Sequence, residues 1–96
     1  MEHFSVHSSF HGFTVVLNTS GPMTYIGRWD EQIGDQIFLN NASVHRDGEE
    51  GMTKDQFIDK AVRLGPRMTH ARYAVPAGDV AGVETLGDLS KRLLGY

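Results

Sequence analysis

Met52-Thr53-Lys54-Asp55-Gln56-Phe57, closed downstream by Gly65-Pro66, is the stretch that organises the chain. Thr53 and Gln56 have the spacing of a capping box, in which the threonine hydroxyl accepts from the Gln56 amide and the Gln56 side chain reaches back. Met52 and Phe57 occupy the two positions of a hydrophobic staple across that cap. At the other end Gly65 takes a left-handed conformation cheaply, and Pro66 cannot continue a helix. Phe57, Ile58, Ala61, Val62 and Leu64 fall on one stripe with helical spacing. These residues predict a short helix over about 54–64.

Strand-like segments flank it. Residues 3–10 alternate, with Phe4, Val6 and Phe10 against His3, Ser5, His7 and Ser9, which predicts a half-buried strand. At Gly12 the phase slips, and Phe13, Val15 and Leu17 carry the apolar face, so a bulge or tight turn is expected at His11-Gly12. Asn18 to Pro22 is a turn by composition. Met23 to Trp29 reads as a strand, with Gly27 marking a bend or a close backbone approach. Asp30 to Asp35 reads as a turn, Gln36 to Asn40 as a short buried strand, and Asn41 to Gly51 as a polar loop. Beyond the helix, Arg72 to Val75 is a strand, Pro76 to Asp79 a turn and Val80 to Leu86 a strand. Asp88 is expected to cap a last helix over about 88–94 carrying Leu89, Leu93 and Leu94. That stripe is apolar enough to dock on the sheet or on a partner chain.

The fold class is therefore mainly β with an inserted helix: a small barrel or strongly curled antiparallel sheet, in one domain over 1–96. Within that frame, Val15-Val16-Leu17, Ser20-Gly21-Pro22, Tyr25-Ile26-Gly27 and Asp35 to Ala42 resemble the first half of an Sm-like, SH3-like barrel. Tyr73 to Val83 is similar to its closing hairpin. The resemblance covers about half the chain. It implies barrel geometry and ring-like assembly more than uridine binding. The family starts with a helix where this chain alternates as a strand. Its RNA-contacting Asn would fall at Gln36, and the Arg-Gly of its second motif is replaced by Pro76-Ala77.

Composition narrows the chemistry. The 96 residues contain no Cys, which excludes disulfides, thiolate catalysis and Cys-based metal sites. A cytoplasmic location is compatible with this and is the expectation. The opening residues have no basic and apolar regions of a signal peptide. Purely apolar runs reach only three residues, such as Ile37-Phe38-Leu39, where a membrane helix needs about 20. The formal net charge is −3, which weighs against a dedicated nucleic-acid protein. The charges are segregated, however. Asp47, Glu49, Glu50, Asp55 and Asp59 crowd one stretch, and from Lys60 to Arg72 there are only cations and His70.

His3, His7 and His11 would share a helix face, but four strand residues span about 13 Å, too far for one metal ion to take two of them. No metal site is expected, and no glycine pattern for a nucleotide or other cofactor is present. Arg63, Arg67, His70 and Arg72 can hold phosphates through charge-assisted bonds, with Trp29 or Tyr73 as a stacking surface. Their alternative role is a charged face that pairs with the acidic stretch. His45 and Asp47 have the residue types of a general base and its orienter, in a segment that also reads as a turn. Trp29, Tyr25 and Phe38 either line a pocket or fill the core.

Three functions follow as expectations. The first is a non-enzymatic homo-oligomeric structural or interaction module, since a chain this size has a modest core and a leucine-rich end. The second is a nucleic-acid or anionic-ligand binder using Arg63, Arg67, His70, Arg72 and Trp29. The third is a ligand-pocket protein or enzyme around His45, Asp47 and Trp29. Self-association is the expected partnership, with nucleic acid second and no membrane.

Overall fold

The computed structural model describes residues 9–95. Five strands form one antiparallel sheet: β1 (Thr14–Thr19), β2 (Met23–Ile33), β3 (Gln36–Arg46), β4 (His70–Pro76) and β5 (Val80–Thr85). Helix α1 (Lys54–Leu64) joins β3 to β4, and helix α2 (Leu86–Leu94) follows β5. The strand order is β4-β3-β2-β1-β5. The sheet is curled and open, not a closed barrel. The segment resembling a closing hairpin does not pair with itself. Its two strands flank the 3-10 turn Ala77–Asp79 and lie at opposite edges, β4 on β3 and β5 on β1.

The curl comes from two bulges. Opposite Gly27 of β2, β3 supplies both Asn41 and Ala42, and Asn41 takes φ 55°. A Cβ on Gly27 would stand 3.0 Å from Leu39 Cβ and 3.1 Å from Ala42 Cα, so the close approach expected of this glycine is real. Further along, Trp29 pairs with Leu39 and Glu31 with Phe38, which leaves Asp30 as an extra residue on β2. Each bulge adds local twist and bends its strand.

Both faces of the sheet are covered. Val15, Leu17, Tyr25, Trp29, Ile37, Leu39, Ala42 and Val75 form the inner cluster. Val16 and Ile26 face the other way and pack with Ile58 and Ala61 of α1 and Leu89 of α2. This is why Val15-Val16-Leu17 is apolar without alternation: odd positions serve one layer and Val16 the other. Of the predicted α1 stripe, Leu64 lies outside the contact and is exposed.

Several boundaries differ from expectation. β2 runs on to Ile33 and β3 to Arg46, so most of the predicted 30–35 turn and of the 41–51 loop is strand. Helix α2 starts earlier than Asp88, because the Thr85 hydroxyl accepts from Asp88 N at 3.1 Å and acts as the cap. Asp88 instead places a carboxylate in the first turn, where the helix dipole favours it. The 54–64 helix has the predicted bounds, with both bonds of the capping box formed, but Gly65 ends it at φ 87° and ψ 148°, a glycine conformation other than the left-handed helical one expected. The predicted N-terminal strand lies outside the described residues up to Ser8. Phe10 belongs to the turn that follows, where Gly12 has φ 85°.

Candidate functional site

α1 does not lie flat on the sheet along its whole length, and a cleft opens between it, the C-terminal half of β3 and the 65–70 segment. The N-terminal end of the helix is firmly tied. Lys54 Nζ donates to Thr19 O at 2.9 Å and to Gly21 O at 2.8 Å, fixing it over the β1–β2 turn. Lys54 N donates to Asp47 Oδ1 at 2.9 Å. Gly48 N donates to Met52 O at 2.7 Å and closes the intervening turn.

The cleft measures about 280 Å³. Ser43 and His45, alternate residues of β3, form part of its lining and are only 4% and 3% exposed. His45 Nε2 lies 2.9 Å from Met52 O. A carbonyl only accepts, so this nitrogen carries the proton in the neutral ring, and Nδ1 keeps a lone pair. Nδ1 stands 3.8 Å from Glu49 Oε1. The imidazole stacks on Phe57, with ring centres 4.5 Å apart. Met52, Ala61 and Pro66 add apolar wall, and Lys60, Arg67, Glu49 and Glu50 add charge.

The residues singled out in the sequence divide. Arg67 and His70 meet at this cleft. Arg67 makes no hydrogen bond or ion pair among the described residues, whereas His70 Nδ1 lies 2.9 Å from Thr69 Oγ1. Arg63 is on α1 but pairs with Asp59 at 3.0 Å. Arg72 is on β4 and is held by Asp30 at 2.6 Å and Glu31 at 2.9 Å, so it does not pair with the acidic 47–59 stretch. Two carboxylates raise the pKa of its guanidinium, chiefly through the Asp30 hydrogen bond. Trp29 is 2% exposed in the inner cluster, 5.4 Å from the Phe10 ring, and presents no open face for stacking. His45, Asp47 and Trp29 do not converge either. His45 lines the cleft, Asp47 caps the α1 amide from outside it, and Trp29 belongs to the opposite layer.

Ser43 was not singled out, and Lys60 and Glu50 entered only as members of the charge runs, not as site residues. The signal for Ser43 was available, since Ala42 to Arg46 alternates once it is read as strand. Among the described residues no group of His, Asp and Glu has metal-binding geometry, and no helix is long and apolar enough to cross a membrane.

Comparison with solved structures places this architecture. The structure of a Pyrococcus abyssii Sm protein in complex with a uridine heptamer matches with a TM-score of 0.56, over 88% of this chain and 99% of that one. The fold is Sm-like. Sequence identity is 12%, so the likeness is one of fold. No protein-family model matches the chain, and no curated protein does. Gln36 and Pro76 are register partners at the end of the β3–β4 ladder.

Proposed function

We propose that this chain is a non-enzymatic homo-oligomeric interaction module whose copies join through the two edges of the sheet, β4 and β5. The supporting observation is that, among the described residues, β4 and β5 each have a strand partner on one side only and end the strand order. An unpaired edge is a template for a further strand. Along β4, Thr69 N donates to Ala42 O and Ala77 N to Asp35 O, so odd positions face β3. The backbone groups of His70, Arg72 and Ala74 then point outward, and Pro76, which has no N–H, costs the inner ladder nothing. The apolar surface is also two-ended. Leu64 and Met68 are exposed just before β4, and Phe13, also exposed, lines a shallow cleft with Leu86 and Gly87 where β5 ends. Two different patches favour a head-to-tail contact, which closes into a ring when the rotation allows.

Light scattering after size exclusion tests this. The expected mass is a multiple of the 10.7 kDa chain, stable to salt. Ala74→Pro removes one outward donor and should reduce the mass while circular dichroism stays unchanged. A wild-type monomer at micromolar concentration would refute the reading.

A second reading, binding of single-stranded nucleic acid, is favoured by the fold's likeness to an Sm protein solved with a uridine heptamer. It would rest on Arg63, Arg67 and His70, since Arg72 is held by two carboxylates and Trp29 is enclosed. Salt-sensitive binding of oligouridine that Arg67→Ala weakens would support it. No binding at low salt would end it.

A further inference from the structure

Strand β3 outruns its edge partner. β4 pairs with it only from Gln36 to Ala42, whereas β2 accompanies it to Arg46. Past Ala42 the β4 side of β3 borders the cleft. Three bonds fix which backbone groups face that side. Ala42 O accepts from Thr69 N at 3.0 Å. Arg46 N donates to Glu49 Oε1 at 3.2 Å. Asp47 N donates to Pro22 O at 2.8 Å, on the β2 side. Successive strand residues turn their backbone groups to opposite edges. Val44, midway between Ala42 and Arg46, therefore presents N–H and C=O to the cleft it helps to line. Neither group bonds to the cleft walls among the described residues.

A second observation points the same way. The Ser43 hydroxyl belongs to a residue 4% exposed, lines the cleft, and makes no hydrogen bond among the described residues. Among the described residues the enclosed side-chain atom without a partner is Gln32 Oε1, so the Ser43 hydroxyl is open to the cleft and within reach of a polar group that enters it. The charges at the rim are also polarised. Glu49 and Glu50 precede α1 and Arg67 follows it, with Lys60 between. Complementing the α1 dipole does not account for them, because Asp55 and Arg63 already stand in its first and last turns.

We infer that this cleft binds a short extended peptide, added as a strand along Val44, with its amino end toward Glu49 and Glu50 and its carboxylate toward Arg67. The direction follows from the pairing. A strand antiparallel to β3 runs as β4 does, from the Arg46 end toward Ala42, and so carries its N-terminus to the acidic pole. The size follows from the volume. About 280 Å³ lies just below the usual small-ligand range of about 300–1,000 Å³, and three extended residues span about 10 Å. Main-chain bonds to Val44 supply affinity, Ser43 takes a polar group, and the two poles set orientation.

The probe is trialanine with free termini, titrated into nitrogen-15-labelled protein. The Val44 amide should shift saturably and exchange its hydrogen more slowly. Arg67→Ala, an exposed change with little risk to folding, should weaken binding about threefold, as should acetylation and amidation of the probe. Silence of Val44 up to about 10 mM, the weak end of measurable affinity, would overturn the inference. So would Val44 shifts that follow protein concentration without peptide, which would give the edge to a second copy. Equal shifts from inorganic phosphate alone would make the cleft an anion site and overturn it too. The titration is run at one protein concentration, so shifts that follow added trialanine are read apart from any that assembly through β4 and β5 produces.

Discussion

Arg72 Nη1 donates to Asp30 Oδ2 at 2.6 Å, from edge strand β4 across β3 to β2. On the way the guanidinium donates to Asn40 Oδ1 at 3.2 Å and lies 4.5 Å from the centre of the Phe38 ring. Its other nitrogen takes Glu31 at 2.9 Å. Consecutive strand residues normally point to opposite faces. Asp30 and Glu31 reach one cation because Asp30 is the extra residue of the β2 bulge. The same irregularity that curls the sheet thus clamps three strands with one side chain.

Removing that clamp takes the bridging cation from Asp30 and Glu31, which stand side by side, and leaves Asp30 only His11 Nε2 at 3.8 Å among the described residues. Arg72→Ala is expected to melt earlier than wild type at low salt, and the gap should narrow as salt screens the two carboxylates. Thermal unfolding at two salt concentrations measures it. Coincident melting curves at low salt would show that the pair contributes nothing, as many exposed pairs do.

Gly27 gives a prediction of opposite sign to the general rule. Gly→Ala at a compatible site stabilises by about 0.4–1 kcal/mol, because the unfolded chain loses freedom. Here the added methyl would meet Leu39 Cβ at 3.0 Å and Ala42 Cα at 3.1 Å, and a backbone atom cannot swing aside. Gly27→Ala is expected to destabilise by about 1–3 kcal/mol. Denaturant unfolding decides, and a stabilised variant would mean that the β2–β3 bulge relaxes freely.

Gly27 and α1 were legible in the sequence because their signals are local. A cap, a staple and a lone glycine among strand residues each act within a few positions. β3 was cut short because its second half is polar: Asn41, Ser43, His45 and Arg46 read as loop. Ser43 and His45 are in fact buried, His45 bonded to Met52 O and stacked on Phe57. That environment is built by α1, later in the chain, so no local pattern announces it. The candidate site was half legible for the same reason. The cation run that contains Arg67 and His70 is visible along the chain. The partners that withdraw Arg72 from it lie on β2, reached only through the strand order.

Tyr25 supplies a pH dependence. Burial raises its pKa above the ordinary 10.0, with smaller contributions from Tyr73 and Asp79. The folded state therefore holds the phenol proton where the unfolded state releases it. Stability from this group is fully present below pH 10.0 and is lost as pH rises from there through the folded pKa. Tyr25→Phe should flatten the decline of unfolding free energy above pH 10.0 relative to wild type. An unchanged slope would place the effect elsewhere.

The two leucines of α2 separate folding from assembly. Leu89 is 5% exposed and packs with Val16, Ile26, Ile58 and Ala61, so it belongs to this chain's own outer layer. Leu89→Ala is expected to cost about 2–5 kcal/mol. Leu93, on the same helix, is 42% exposed. Leu93→Ala should leave the unfolding of a dilute sample nearly unchanged. If α2 also meets a neighbouring copy, the Leu93 change lowers the mass seen by light scattering at a concentration where wild type is assembled. Equal effects of both changes on dilute stability would mean that Leu93 is covered within the chain, and the apolar end of α2 would then carry no argument for assembly.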